Sequence, residues 1–575
     1  MATQEKIISL LDQAVKMHQA NRLKEAENLY KKVLTLSPRQ YDALNLLGVL
    51  AHQGGNNDQA IDLFDQAIAA SPNLASAHFN KGNVLYGDKQ LEESVNCYKT
   101  ALTYDPQSQD ALLNLGVILQ EQEKTGEALS IFIKLIKIAP DNPKAHYNKG
   151  KCLHVTGNLE DAEKALKDAL KLDPENADCC FALATVKDEL NQNEEAIKYI
   201  QKAIKIKPDW AQAYSNLGNF QKNNGDLDQA LLSYKKCLKI DPKNYTNQTN
   251  LGILQLYMGK FQEGWTNHGY RSKSEAPFYI KHNFDLPHWK GEDLSNENVL
   301  LWNEQGLGDE IIFCSMLEEL SFKTKEITLL CSRKLKGVFE YSFSNLKNLK
   351  IIENRDFNIQ PNNFNRAISL TDLGKFLRPS LNKFPPPKAY LKYDIKKQAS
   401  LRTKLENDYG KNTKFIGISW ASKNPIIGRE KSIPIEEWMP LLLLPNIRFV
   451  NLQYGDKSDD LNDLPKRIRG KIISLEKINL NGSLDETLDL LSALDLLVTS
   501  SNTTAHLAGA AGLPVWILTP RGRSLMWYWF SSGNRSPWYK NAMIFRLTAG
   551  YKWRDLMSEI SKMVTKLDLN DGFSL

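Results

Sequence analysis

A proline returns every 34 residues through the first half of the chain, at Pro38, Pro72, Pro106, Pro140, Pro174, Pro208 and Pro242. Seven copies in unbroken register leave little choice of architecture. Twenty-four residues before each proline stands a small residue: Ala14, Gly48, Gly82, Gly116, Gly150, Ala184 and Gly218. Twelve before stands another: Ala26, Ala60, Ser94, Ala128, Ala162, Ala196 and Ala230. Eight before stands a large one: Tyr30, Phe64, Tyr98, Phe132, Leu166, Ile200 and Tyr234. Small residues at two fixed places let a pair of antiparallel helices approach closely, and the proline ends the unit.

The pattern resembles the tetratricopeptide repeat, across about 260 residues. An incomplete eighth copy begins near Tyr245, with Gly252 and Gly264 in register. Such an array stacks into a superhelix with a concave groove. One position of the first helix repeats an asparagine, at Asn80, Asn114, Asn148, Asn216 and Asn250, interrupted by Leu46 and Ala182. A side-chain amide both donates and accepts, which suits an extended peptide backbone. This series is similar to the asparagine ladder of O-linked N-acetylglucosamine transferases, which grips acceptor polypeptides. The competing interpretation is a polar consensus position that faces solvent and leaves the array a passive spacer.

At 575 residues the chain has room for three or four units, at roughly 100 to 200 residues each. A formal charge of +6 is slight for this length and makes no case for nucleic acid. Seven scattered cysteines without metal-ligand spacing indicate neither a disulfide framework nor a zinc site, so a reducing, cytoplasmic location is expected. Charged residues interrupt the first twenty positions, and no run of about 18 apolar residues occurs, so neither a signal peptide nor a transmembrane segment is expected.

The repeat register fails after Trp265, and a proline- and aromatic-bearing stretch follows. Beyond it strands and helices alternate, which implies parallel sheets covered by helices. Strands are expected at 299–302, 326–331, 349–352 and 367–370, with helices at 309–320 and 335–343. Pro379 to Pro387, with three consecutive prolines, marks a hinge. In the second part strands are expected at 415–420, 448–453, 496–499 and 515–518, and helices at 435–444, 484–493, 503–512 and 553–567. The expected division is 1–270 for the repeats, 271–298 for a connector, 299–385 for one α/β half and 386–575 for the other.

Three stretches carry candidate chemistry. In Gln305-Gly306-Leu307-Gly308-Asp309 the glycines permit a turn and the close approach of a ligand. Asp309 then stands beside a helix N-terminus, where it can act as a general base or simply cap its own helix. Ser500, Ser501, Asn502, Thr503 and Thr504 form a hydroxyl-rich turn into a helix of small residues, an arrangement that offers amides and hydroxyls to a phosphate. The same pattern also describes an N-capped helix without a ligand. His506 faces either the cleft or the core. Ser419 closes a strand, and residues 423–431 follow with the cations Lys423, Arg429 and Lys431, either solvated or opposed to a diphosphate.

Residues 299–309, Gly417-Ile418-Ser419-Trp420, Lys431-Ser432-Ile433-Pro434, residues 505–516 and Ser536-Pro537-Trp538-Tyr539 together resemble the C-terminal region of bacterial tetratricopeptide-repeat glycosyltransferases. These are related to the ADP-heptose lipopolysaccharide heptosyltransferases, glycosyltransferase family 9. The resemblance implies an α-solenoid followed by a GT-B fold of two Rossmann-like domains, and a sugar passed from a nucleotide sugar to an acceptor, with a polypeptide the expected acceptor. It implies Asp309 as base and Lys431 as the neutralising cation. Gly306, Gly308, Ser419, the 500–504 turn and His506 would hold the donor, with inversion at the anomeric carbon and no bound metal or other cofactor. The family has Asp-Thr-Gly where this chain has Ser501-Asn502-Thr503. That departure favours a rival, a protein-binding repeat scaffold whose GT-B domain has lost turnover.

Overall fold

The computed structural model describes residues 2–274, 284, 286–354, 363–422, 428–455, 458–475, 479–480, 482–548 and 550–566. Two compact units divide the chain between Pro208 and Asp209.

The first unit is an α-solenoid of six helical hairpins, from Ala2–Gln19 with Leu23–Leu36 to Ala177–Glu189 with Asn193–Ile206. Its geometry explains the sequence period. A Cβ added to Gly48 would lie 2.7 Å from the Phe64 ring, one at Gly82 2.8 Å from Tyr98, and one at Gly116 2.6 Å from Phe132. The small residue of the first helix therefore receives the large residue of the second, sixteen positions on. Close packing of this kind tolerates no added methyl without displacement.

The second unit opens with two more hairpins, Ala211–Asn224 with Leu227–Ile240 and Tyr245–Tyr257 with Phe261–His268. The repeat helices end at His268, and the last hairpin packs into the α/β region. Phe261 and Trp265 belong to the same buried cluster as Ile312, Leu373 and Trp527 of the α/β region. Trp265 also donates from Nε1 to the Arg378 carbonyl at 2.9 Å, and its ring occupies the space left by Gly374. The last repeats fold onto the sheets because their outer face is aromatic where a terminal repeat is ordinarily polar.

Two parallel sheets follow. The first holds β1 (Leu294–Trp302), β2 (Thr324–Cys331), β3 (Leu349–Glu353) and β4 (Arg366–Ser369) in the order β3-β2-β1-β4. The second holds β5 (Lys414–Ser419), β6 (Ile447–Asn451), β7 (Ile472–Ile473), β8 (Leu496–Ser500), β9 (Val515–Thr519) and β10 (Ala542–Arg546) in the order β10-β9-β8-β5-β6-β7. In each the chain leaves the first strand to one side and later returns to the other. The reversal falls at the carboxyl ends beside Trp302 and Ser369 in one sheet and Ser419 and Ser500 in the other, the place where such sheets take ligands.

Several boundaries differ from expectation. The helix expected over 309–320 is two, Leu307–Cys314 and Leu317–Ser321, because Ser315 and Met316 take tighter bonds to the carbonyls of Ile312 and Phe313. The stretch 435–444 is a 3-10 turn, Ile435–Trp438, and one short helix, Met439–Leu442, where Pro440 lacks an amide to continue the ladder. Helix Ile395–Tyr409 and strand β10 were not anticipated. Among the described residues no helix is long and apolar enough to cross a membrane.

Candidate active site

The carboxyl end of β1 delivers the loop 303–306 and then the helix Leu307–Cys314, with Asp309 in its first turn. Gly306 precedes this helix in extended backbone, at φ −76° and ψ 170°. Neither Gly306 nor Gly308 adopts the left-handed region, so the turn expected to require glycine does not. Gly308 serves a different contact. A Cβ there would lie 2.7 Å from His506 Cδ2 and 2.9 Å from its Nε2. The room expected for a ligand is taken by an imidazole from the second sheet's Thr503–Ala510 helix.

Asp309 is 7% exposed, and its Oδ1 has no hydrogen-bond partner among the described residues. Burial raises its pKa to about 6, opposed by Lys431 and then by the nearby backbone amides of Asp309 and Gly306. The helix-capping interpretation is met by the nearness of these amides alone, and Oδ1 is left over. Lys431, also 7% exposed, has its pKa lowered to about 8 by burial, which Asp309 counteracts. At neutral pH both are charged, and each is the other's principal electrostatic partner. Lys423 lies outside the described residues, as does the Arg429 side chain.

His506 is buried, and its pKa is lowered to about 3, first by burial and then by Lys431. It is thus a neutral imidazole and supplies no cation to a diphosphate. Its Nδ1 lies 2.8 Å from the Tyr539 hydroxyl, and its ring stacks on Trp529 with centroids 5.0 Å apart.

The 500–504 turn is a second correction. Asn502 caps its helix, its Oδ1 accepting from the amides of Thr504 at 3.0 Å and Ala505 at 3.4 Å. Its Nδ2 donates to Ser419 Oγ at 2.8 Å and Ser500 Oγ at 3.4 Å. Ser501 Oγ accepts from Trp529 Nε1 at 2.8 Å. Ser419, Ser500, Ser501 and Asn502 therefore brace the carboxyl ends of β5 and β8, and two of the amides expected to meet phosphate are already satisfied. Thr503 and Thr504 alone of this turn line a small cleft of about 70 Å³, with Leu307, Lys334, Tyr454 and Thr487. The Thr487 hydroxyl in that wall is buried and has no partner among the described residues.

Sequence reasoning missed Glu304, Thr487, Lys334 and the aromatic bracket of Tyr528, Trp529 and Tyr539. The aromatic density at 527–530 was the available signal. Phe530, which closes it, has φ 52° and ψ 162°, a conformation that side chains other than glycine rarely adopt.

Within the first unit, Asn80 donates to Asn45 Oδ1 at 3.0 Å and Asn114 to Asn83 Oδ1 at 3.0 Å, each bridging adjacent repeats. Asn148 is buried and donates to the Lys144 carbonyl at 2.9 Å. In the second unit Asn216 Oδ1 accepts from Gln212, and Asn250 is half-buried. The asparagine series is neither wholly solvent-facing nor wholly available to a peptide.

Tetratricopeptide repeat models match residues 19–75, 88–123, 119–169, 156–218 and 211–244, and the N-terminal half of the chain is an array of these repeats. Protein FlbA of Caulobacter vibrioides is 30% identical over 322 residues, 53% of this chain and 52% of FlbA. The chain thus spans about half the length of the curated relative it matches. Among solved structures, YrrB, described as a TPR protein with an unusual peptide-binding site, is 22% identical over 32% of this chain and 95% of its own, with a TM-score of 0.30. Pseudomonas aeruginosa pilF is 18% identical over 36% and 95% respectively, with a TM-score of 0.34.

Proposed function

We propose that the chain is a glycosyltransferase of GT-B type, with two Rossmann-like halves, that moves a sugar from a nucleotide sugar to an acceptor held partly by the repeats. The repeats support a protein-binding role, and a polypeptide is the acceptor class they suit. One observation carries the enzymatic reading. Asp309 is a buried carboxylate at the mouth of a parallel sheet, with one oxygen unpartnered, a pKa raised to about 6 and a buried ammonium as counter-charge. A general base works best when its pKa lies near the working pH.

In this mechanism the Asp309 carboxylate takes the proton of the acceptor hydroxyl as that oxygen attacks the anomeric carbon. The bond from that carbon to the diphosphate oxygen breaks, and the nucleoside diphosphate leaves with the electron pair. Lys431 supplies positive charge where negative charge develops. Thr503, Thr504 and Lys334 meet the donor. A nucleotide sugar needs a pocket of roughly 300 Å³ or more, so the donor enters as the halves part about the segment of Pro385 to Pro387. The transfer inverts the anomeric centre.

Asn502 favours a second reading, a repeat scaffold without turnover, because its side chain occupies amides that would otherwise face the diphosphate. Incubating the full chain with UDP-, GDP-, ADP- and CMP-linked sugars separates the two. A transferase releases nucleotide slowly from one of them, and Asp309→Ala abolishes the release; a scaffold releases none.

A further inference from the structure

Arg271 lies just past the last repeat hairpin, in the 3-10 turn Gly269–Lys273, and is 3% exposed. A guanidinium so deeply buried is stable only when its donors are matched. Its Nε donates to Glu304 Oε1 at 2.8 Å, and its Nη2 to the same oxygen and to Asp372 Oδ1 at 2.7 Å. Nη1 donates to the His268 carbonyl at 3.3 Å, and Nη2 also reaches Ser369 Oγ at 3.4 Å. Ser369, the last residue of β4, donates its hydroxyl to Glu304 Oε1 at 2.5 Å. A side chain from the repeats is thereby inserted at the carboxyl ends of β1 and β4, where the first sheet's order reverses.

Glu304 stands five residues before Asp309, on the loop that leads into its helix. The next residues share the arrangement: Asn303 Nδ2 donates to the Gln305 carbonyl at 2.8 Å and to Glu310 Oε2 at 3.2 Å. We propose that Arg271 is a positioning residue for Asp309, joining the last repeat to the loop that leads into the Asp309 helix by gripping Glu304. This rests on the reading of Asp309 as the working base. The link makes the last repeat hairpin, residues 245–268, a component of the proposed site and not a tether.

The charges around the pair define its effect. Arg271 is faced by Glu304, Asp372 and a His268 that burial keeps neutral. Asp309 is faced by Lys431, by Glu304, whose charge raises its pKa, and by the uncharged His506, Tyr528 and Tyr539. Removing Arg271 exposes the Glu304 charge and raises the Asp309 pKa further; removing the Glu304 charge lowers it.

Thermal unfolding of the full chain across pH 4 to 8 reads this without a donor. Asp309 is ionised more readily unfolded than folded, so the Tm difference between wild type and Asp309→Asn falls as pH rises and levels off at the folded pKa. The expected level is near pH 6, moving up in an Arg271→Met background and down in Glu304→Gln, each on the order of half a pH unit. The neutral pair Arg271→Met with Glu304→Gln returns it close to the starting value, and Glu304→Gln alone covers the case in which Arg271→Met fails to fold. A level that stays put in Glu304→Gln, a variant that keeps the guanidinium, overturns the proposal and leaves Arg271 a purely structural residue. Absence of donor turnover in the wild-type chain is a separate result, which removes the transferase reading and leaves this titration intact.

Discussion

Substituting Gly308 by alanine sets two opposed effects against each other. Alanine is the better helix former by about 1 kcal/mol, and Gly308 lies in the first turn of Leu307–Cys314. Against this, the new Cβ meets His506 at 2.7 Å and 2.9 Å. The imidazole cannot swing aside cheaply, since its Nδ1 is held by Tyr539 at 2.8 Å and its face lies on Trp529. Overpacking against a fixed neighbour costs about 1–3 kcal/mol, and giving up the hydrogen bond about 1 kcal/mol more. The clash wins, and Gly308→Ala is expected to lose about 1–3 kcal/mol. Urea unfolding followed by tryptophan fluorescence, with the slope unchanged, measures it. In a His506→Ala background the obstacle is gone, and the same substitution should instead be neutral or gain up to about 1 kcal/mol from helix propensity. Equal effects in the two backgrounds would refute the close approach of the two helices at this point.

Three further outcomes follow from the geometry. Asn502→Ala removes the cap on Thr504 and Ala505 together with the bond to Ser419, and should cost about 1–2 kcal/mol in the same unfolding assay. Lys431→Met removes the charge that most lowers the Asp309 pKa, so that value should rise above about 6, seen as an upward shift of the acid limb of activity. Asn114→Ala breaks the bridge to Asn83 and should lower stability locally by about 1 kcal/mol, read as faster amide hydrogen exchange in Gln109–Glu121 of the intact chain.

The repeats were legible because their packing is local and periodic: Gly116 and Phe132 meet within one hairpin, and every copy restates that contact. The strands were legible as buried apolar runs, β1 and β8 above all. Asp309 and Lys431 could be named from the chain, but their mutual field arises from burial across two sheets, 122 positions apart in sequence by subtraction of their numbers. The hydroxyl-rich turn misled for a physical reason. Serine and asparagine at a helix start serve an anion and a self-cap equally well, and only the direction of Asn502 Oδ1 decides between them. Arg271 was invisible because its partners, Glu304, Ser369 and Asp372, come from strand ends far along the chain.

The most direct measurement is the pH dependence of kcat/KM for whichever nucleotide sugar the full chain consumes. With Asp309 as base, the rate should fall tenfold per pH unit below about 6, and Asp309→Asn should remove both the break and most of the activity. A profile without a break between pH 5 and 7, or an unimpaired Asp309→Asn protein, would contradict the account.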